Sequence, residues 1–126
     1  MVAYSFKRRF ETLIQSGEKR QTIRGKGKRR HARKGDQLQL YFGMRTKHCR
    51  KIIDDPVCLD SNEVILTFEK GEIVDIHVGG KSVDDLDAFA VSDGFEDISD
   101  MAQFWAENHQ SGDYTGLSNP LVLVRW

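Results

Sequence analysis

The chain has 126 residues, 39% of them hydrophobic and 30% charged, a size and balance that suit one domain spanning 1–126 and leave too little for two. No apolar run approaches bilayer-spanning length, and the opening Met-Val-Ala-Tyr-Ser-Phe-Lys-Arg-Arg lacks the apolar stretch and small-residue cleavage site of a signal peptide, so no membrane partner and a cytoplasmic setting are expected. The zero net charge conceals a division: residues 1–51 carry a balance of +13 and residues 52–126 one of −13, so the halves neutralise each other, or a basic face meets an anionic partner such as phosphate, and both can hold at once.

The first element expected is a helix from Ser5, because Phe6, Phe10, Leu13 and Ile14 fall at i, i+4, i+7 and i+8, the spacing of one helical face. Gly17, just past the last periodic residue, ends it. Lys19 to Arg24 reads as an extended segment whose Ile23 needs cover from a neighbouring chain segment. Nine Lys or Arg and no acidic residue lie between Lys19 and Lys34; the part from Lys26 to Lys34 has no apolar periodicity and reads as an exposed loop, with Lys34-Gly35-Asp36 as the turn into a strand.

Leu38, Leu40 and Phe42 alternate with Gln37, Gln39 and Tyr41, the pattern of a half-buried strand. A second strand is expected within Arg45 to Ile53, a turn at Asp54-Asp55-Pro56, and then a hairpin: Val64, Leu66 and Phe68 alternate before Lys70-Gly71, and Ile73 to Val78 follow it. Gly79-Gly80 ends the strands. Ser82 is the expected cap of a short helix with Asp84 and Asp85 in its first turn and Leu86, Phe89 and Ala90 on its buried face. After Asp93-Gly94 a helix opening at Asp97 or Ser99 presents Ile98, Met101, Phe104 and Trp105 as a stripe whose ordinary role is core. Gly112 to Gly116 reads as a loop, Pro120 bars a helix, and Leu121 to Trp126 closes the chain as a strand. The expected fold is α+β: about six strands in a small curled or barrel-like sheet, closed by the last strand, with flanking helices.

Several chemistries lack their motifs. The Gly-Lys pairs at Gly25 and Gly27 have Arg20 and Thr22 where a phosphate-binding loop needs its first glycine, and neither pair is followed by Ser or Thr. Gly-x-Gly-x-x-Gly, Gly-x-Ser-x-Gly and His-Glu-x-x-His do not occur. Cys49 and Cys58 form no Cys-x-x-Cys pair, and His31, His48, His77 and His109 are scattered; His48 and Cys49 with Cys58 would give at most three ligands at an unusual spacing, so neither metal nor other cofactor is expected.

What remains is Gly17-Glu18-Lys19-Arg20-Gln21-Thr22-Ile23-Arg24 behind a short helix, Lys34-Gly35-Asp36 before a strand, Asp93-Gly94-Phe95 before an aromatic helix, and a terminal strand ending in Trp126. In this order, spanning nearly the whole chain, these features resemble the ASCH domain of the PUA-like superfamily. The resemblance implies a small PUA-like β-barrel with flanking helices and a cleft lined by the Lys-Thr-Arg segment, associated with RNA or modified nucleosides. Some ASCH domains are amidohydrolases that release acyl groups from N4-acylated cytidine with a Lys, a Thr and a Glu. By motif, Lys19 and Thr22 match the first two, and the Glu position falls on Asp93 when the Ala-x-x-acidic stretch is matched to Ala90-Val91-Ser92-Asp93. That departure shortens the carboxylate by one methylene, about 1.5 Å of reach, and misplacement of that order costs roughly 100-fold in rate.

On this reading Thr22 is the nucleophile, Lys19 its base with a pKa depressed by neighbouring cations, Asp93 the residue that orients the amine or shuttles the proton, and Arg24 the oxyanion partner. Substrate or RNA contacts would come from Arg20, Arg24, Lys26, Lys28, Arg29, Arg30, Arg45 and Tyr41. Two other readings stand beside it. One is a non-catalytic module for single-stranded RNA, its basic loop tracking phosphates while Tyr41, Phe42 or Trp105 stacks a base. The other is a ribonuclease in which Lys19, Arg24 and His31 assist attack by a 2′-hydroxyl.

Overall fold

The computed structural model describes residues 1–27, 30–108 and 121–126; the expected loop at Gly112 to Gly116, Pro120, His109, Lys28 and Arg29 lie outside the described residues. It is α+β. Strand β1 (Val2–Phe6) leads through a 3₁₀ turn (Arg8–Phe10) into α1 (Glu11–Ser16), then β2 (Gln21–Gly25), β3 (Leu38–Phe42), β4 (Arg50–Lys51), the long hairpin of β5 (Asp60–Glu69) and β6 (Glu72–Val78), the short β7 (Lys81–Ser82), α2 (Leu86–Ser92), α3 (Ile98–Asn108) and β8 (Leu121–Arg125).

The expected barrel does not form. The strands make two sheets, one of three in the order β1-β3-β4 and one of five in the order β2-β8-β5-β6-β7. The last strand closes nothing, because it lies inside the larger sheet, antiparallel to both β2 and β5, with Ile23 opposite Leu123 and Asn62 opposite the same Leu123. The two-residue β7 ends that sheet on one side and β2 on the other. Where a barrel would need a β1–β2 ladder, a side chain spans the gap instead: Arg24 Nη2 donates to the Ser5 carbonyl at 2.7 Å.

The N-terminal helix expected from Ser5 is also corrected. Val2, Tyr4 and Phe6 are buried in alternation with Ala3 and Ser5, and β1 runs parallel to β3 from Val2–Leu38 to Phe6–Phe42. Phe6 and Phe10 share an i, i+4 spacing only because a strand and a turn meet between them; true helix begins at Glu11, and Gly17 ends it at φ +84°, a value natural to glycine at that position. The strand expected over Arg45 to Ile53 shrinks to Arg50–Lys51, paired with Tyr41 and Phe42.

Gly79 and Gly80, both at positive φ, form the two-residue turn that pairs Val78 with Lys81, the backbone a tight hairpin requires. This takes Ser82 into β7, and the cap of α2 is Asp85, whose carboxylate accepts from the Ala88 N–H at 3.0 Å. Asp85→Ala is therefore expected to cost about 1 kcal/mol, read from the urea midpoint; an unchanged midpoint would show that the cap carries no weight.

The hairpin expected at Lys70-Gly71 forms, with Val64 opposite Val78 and Leu66 opposite Ile76. Leu38, Leu40, Val64, Leu66, Ile76, Met101, Leu123 and Val124 make the fully buried centre, and Trp105 lies within it from α3. The β5–β6 face that these residues cover is what anchors α3, and with it the loop that brings Asp93 to β2. No described helix is long and apolar enough to cross a membrane.

Candidate functional site

The gap between β1 and β2 is a cavity of about 320 Å³, lined among others by Phe6, Phe10, Lys19, Thr22, Arg24 and Asp93. Three turns assemble it. The Lys19 N–H returns to the Leu13 carbonyl at 3.0 Å after α1 ends, and the Arg20 N–H takes the Ser92 carbonyl at 3.0 Å, tying the start of β2 to the end of α2. Asp93 is the C-cap of α2. Gly94 follows at φ +96°, where a Cβ would stand 2.8 Å from Lys19 Cδ and 2.9 Å from Phe10 Cδ1; only glycine leaves room for the lysine beneath it.

Lys19 is 2% exposed and Asp93 3%. The amine donates to the Asp93 main-chain carbonyl at 2.5 Å, while Asp93 Oδ1 lies 3.8 Å away. The short aspartate thus offers its backbone, rather than its carboxylate, to the amine. Phe10 and Phe6 stand 4.6 and 5.6 Å from the amine at their ring centroids, so the cation faces π-surface where water would otherwise be. Burial pushes the Lys19 pKa down to about 8, against the pull of Asp93 and with help from Arg24 and Arg9. Burial likewise raises Asp93 to about 6, opposed by Lys19, a Gln21 side-chain interaction and Arg24. Removing water penalises the charged form of each partner, and the attraction between them restores only part of that cost.

Asp93 Oδ1 and Gln21 Nε2 are buried without a hydrogen bond among the described residues. The interaction by which Gln21 lowers the Asp93 pKa is therefore a near approach that falls short of hydrogen-bond geometry, and the Oδ1 atom is left buried and unsatisfied among the described residues.

Thr22 is 4% exposed. Its Oγ1 accepts from Arg24 Nε at 3.1 Å, which leaves the hydroxyl proton free to be donated and favours negative charge on the oxygen. The Arg24 guanidinium is held at 4.8 Å from the Phe6 centroid and 5.2 Å from that of Tyr4, and burial lowers its pKa from the usual guanidinium value. Strict alternation puts Lys19 on the opposite side of the extended segment from Thr22 and Arg24. The structure brings all three to one cavity, because Lys19 precedes β2 and turns with the end of α1.

The remaining expected residues divide. Arg45 and Arg30 line a second cavity of about 380 Å³ that adjoins the first through Ser5, Arg24 and Gly25. Lys26 and Arg30 line a third, of about 420 Å³. Arg20 is exposed and lines none of the three, nor does Tyr41, which sits in β3 with Lys51 Nζ 5.9 Å from its ring. Phe42 is covered by Arg50 at 4.4 Å; of the expected stacking residues Trp105 alone borders the first cavity. Among the described residues the loop's Lys26, Arg33 and Lys34 make no ion pair, and neither does Arg45. Cys58 is buried and Cys49 exposed, and no described group of three His, Cys, Asp or Glu side chains is placed to hold a metal.

Some contributors have no motif at all. Gln21 acts on Asp93 from an ordinary strand position. Arg9 pairs with Asp100 at 2.6 Å and lies over Phe10, Phe95 and Phe104 at 5.1–5.8 Å, fixing the aromatic wall from outside. The only sequence signal for the latter was three phenylalanines on separate elements.

No family model matches this chain, and no curated protein or solved structure is matched by it.

Proposed function

We propose that this protein binds a modified cytidine in the cavity between β1 and β2 and hydrolyses the N4-acyl amide. One observation carries the reading: a buried amine, a buried hydroxyl and a buried carboxylate with an unsatisfied oxygen share one cavity. A volume of about 320 Å³ lies at the small end of ligand sites, roughly 300–1,000 Å³, suited to a nucleoside rather than a larger ligand. The resemblance of Gly17 to Arg24 and Asp93 to Phe95 to ASCH amidohydrolases supports the same choice of substrate.

In the step proposed, Thr22 Oγ attacks the amide carbonyl while neutral Lys19 takes the hydroxyl proton. The carbon becomes tetrahedral, its oxyanion facing Arg24. The C–N bond then breaks, the Lys19 proton passes to the departing N4 amine, and cytidine leaves. Water, deprotonated by the same amine, attacks the acyl-threonine ester; the C–Oγ bond breaks, the carboxylic acid leaves, and Thr22 Oγ takes the proton back from Lys19, restoring both groups. Asp93 Oδ1 is the acceptor for an N–H of the base, and the Asp93 carbonyl fixes the amine.

Because Lys19 acts when neutral and its pKa lies near 8, kcat/KM for N4-acetylcytidine is expected to rise with pH through about 8 and then level. A profile flat from pH 6 to 9 would remove Lys19 from the role of base.

RNA binding without catalysis remains the second reading, favoured by Lys26 and Arg33, which border the third cavity and make no ion pair among the described residues. It predicts an affinity for single-stranded RNA that drops steeply with salt and weakens when Lys28, Arg29 and Arg30 are neutralised. The ribonuclease reading is less well supported. The Ala32 N–H donates to Tyr4 Oη at 3.2 Å, the Tyr4 hydroxyl donates to His31 Nδ1 at 3.0 Å, and His31 Nε2–H donates to the Gly25 carbonyl at 2.8 Å. Both ring nitrogens are thus occupied within the fold.

A further inference from the structure

We propose that the second cavity is a phosphate subsite, so that the nucleoside beside Lys19 is taken as its monophosphate with the phosphate against Arg24 and Arg45. The inference rests on the nucleoside reading of the first cavity and extends it to the substrate class. The two cavities share Ser5, Arg24 and Gly25 as lining residues, and the side chains bordering the second include Arg24, Arg30, His31 and Arg45 and no carboxylate. A recess with cations on its walls and no acid among its described lining residues concentrates anions.

Arg24 stands at the junction. Its Nε–H and one Nη2–H are given to Thr22 and Ser5, Phe6 on the first cavity and Tyr4 on the second hold its plane, and its Nη1 engages no acceptor among the described residues. One guanidinium can therefore face the reacting oxygen on one side and a phosphate oxygen on the other. Arg30 is oriented by Asp36 at 2.7 Å and so partly neutralised. Arg45 has no such partner among the described residues.

The placement of Arg45 is built into the fold. Its backbone sits at φ +66°, the left-handed region that side chains avoid. The turn that imposes this is closed by Thr46, whose N–H and Oγ1 both donate to the Gly43 carbonyl at 3.1 and 2.7 Å. It is fastened to the cavity wall by the Met44 N–H donating to Ser5 Oγ at 3.2 Å. The opposite wall is fixed by the Ala32–Tyr4–His31–Gly25 chain of hydrogen bonds. The Met44 and Thr46 bonds set the backbone from which the exposed Arg45 side chain reaches, and a planar guanidinium suits phosphate with two parallel hydrogen bonds.

The test is isothermal titration of the full chain carrying Lys19→Met, which slows turnover, with N4-acetylcytidine, its 5′- and 3′-monophosphates, and inorganic phosphate, repeated with Arg45→Gly added. That variant removes the guanidinium and places at positive φ the residue that tolerates it, so folding is not at risk. One of the two monophosphates is expected to bind at least about tenfold tighter than the nucleoside, the gain of a single charge-assisted hydrogen bond, and that ratio is expected to fall toward one in Arg45→Gly. If the nucleoside binds and neither monophosphate binds tighter, the subsite is refuted and the nucleoside reading stands. If the nucleoside fails to bind while inorganic phosphate binds and weakens in Arg45→Gly, the anion site stands and the nucleoside reading falls. A ratio that survives in Arg45→Gly overturns the assignment of Arg45, and binding by none of the four overturns both.

Discussion

Lys19→Met is expected to lower kcat for N4-acetylcytidine by about 10²–10⁴-fold, the range set by loss of a positioned general base, with the far-ultraviolet spectrum unchanged. Methionine fills much of the lysine volume between Phe6 and Phe10 but carries no amine, so it removes the base that the proposed step assigns to Thr22. Turnover within tenfold of the parent would sink the proposed chemistry.

The same pair governs how stability depends on pH. The Lys19 pKa falls from 10.5 in the unfolded chain to about 8. Between those values the unfolded state binds a proton that the folded state has released, so this group makes stability rise with pH. The Asp93 pKa climbs from 3.8 to about 6. In that interval the folded state holds a proton that the unfolded state has lost, and stability falls as pH rises. Both trends say that the doubly charged pair, present between about 6 and 8, is a cost to the fold at neutral pH. Lys19→Met alone leaves the Asp93 carboxylate buried with no amine, and it responds by holding its proton to higher pH. Lys19→Met with Asp93→Asn removes both charges, so the double variant is expected to melt at least as high as the parent at pH 7 while being inactive. A lower melting temperature would show that the pair stabilises the fold, against the direction of both pKa shifts.

Gly94→Ala is expected to cost about 3 kcal/mol, measured by urea unfolding, and to reduce turnover in whatever fraction remains folded. Two penalties combine. A side chain at φ +96° occupies a sparsely allowed region, worth about 1–3 kcal/mol. The new Cβ would also meet Lys19 Cδ at 2.8 Å and Phe10 Cδ1 at 2.9 Å, and forcing atoms into a packed site adds about 1–3 kcal/mol. Neither neighbour can step aside easily. Lys19 is fixed by the Asp93 carbonyl, and Phe10 lies between Phe95 and Phe104 at 5.5 Å from each ring centroid. A loss below 1 kcal/mol would mean that the lysine moves freely, and so is not held in position for catalysis.

Alternation and turn chemistry located much of the larger sheet. Val64, Leu66 and Phe68, then Ile73 to Val78, announced the hairpin, and Ile23 declared its need for a covering strand, which Leu123 answers. The stripe Ile98, Met101, Phe104 and Trp105 announced α3. What misled was the start: Val2, Tyr4 and Phe6 alternate as a strand should, yet Phe6 also falls four before Phe10, and five residues are too few for one period to exclude the other. Barrel closure was beyond reach for another reason. Strand order is fixed by which edges pair across the whole chain, and nothing local in Leu121 to Trp126 says that both its edges will be occupied, by β2 and β5.

For the site, the sequence determined the chemical inventory: Lys19, Thr22 and Arg24 at fixed spacing behind a helix end, and Asp93-Gly94 ahead of an aromatic helix. Their burial, and therefore their proton affinities, was decided only by the tertiary structure. Lys19 and Asp93 are 74 residues apart, and each is ordinary until Phe6, Phe10 and Gly94 enclose them and exclude water. Desolvation is a property of what surrounds a group, not of the group, so spacing names the residues and only the assembled gap between β1 and β2 shifts their proton affinities.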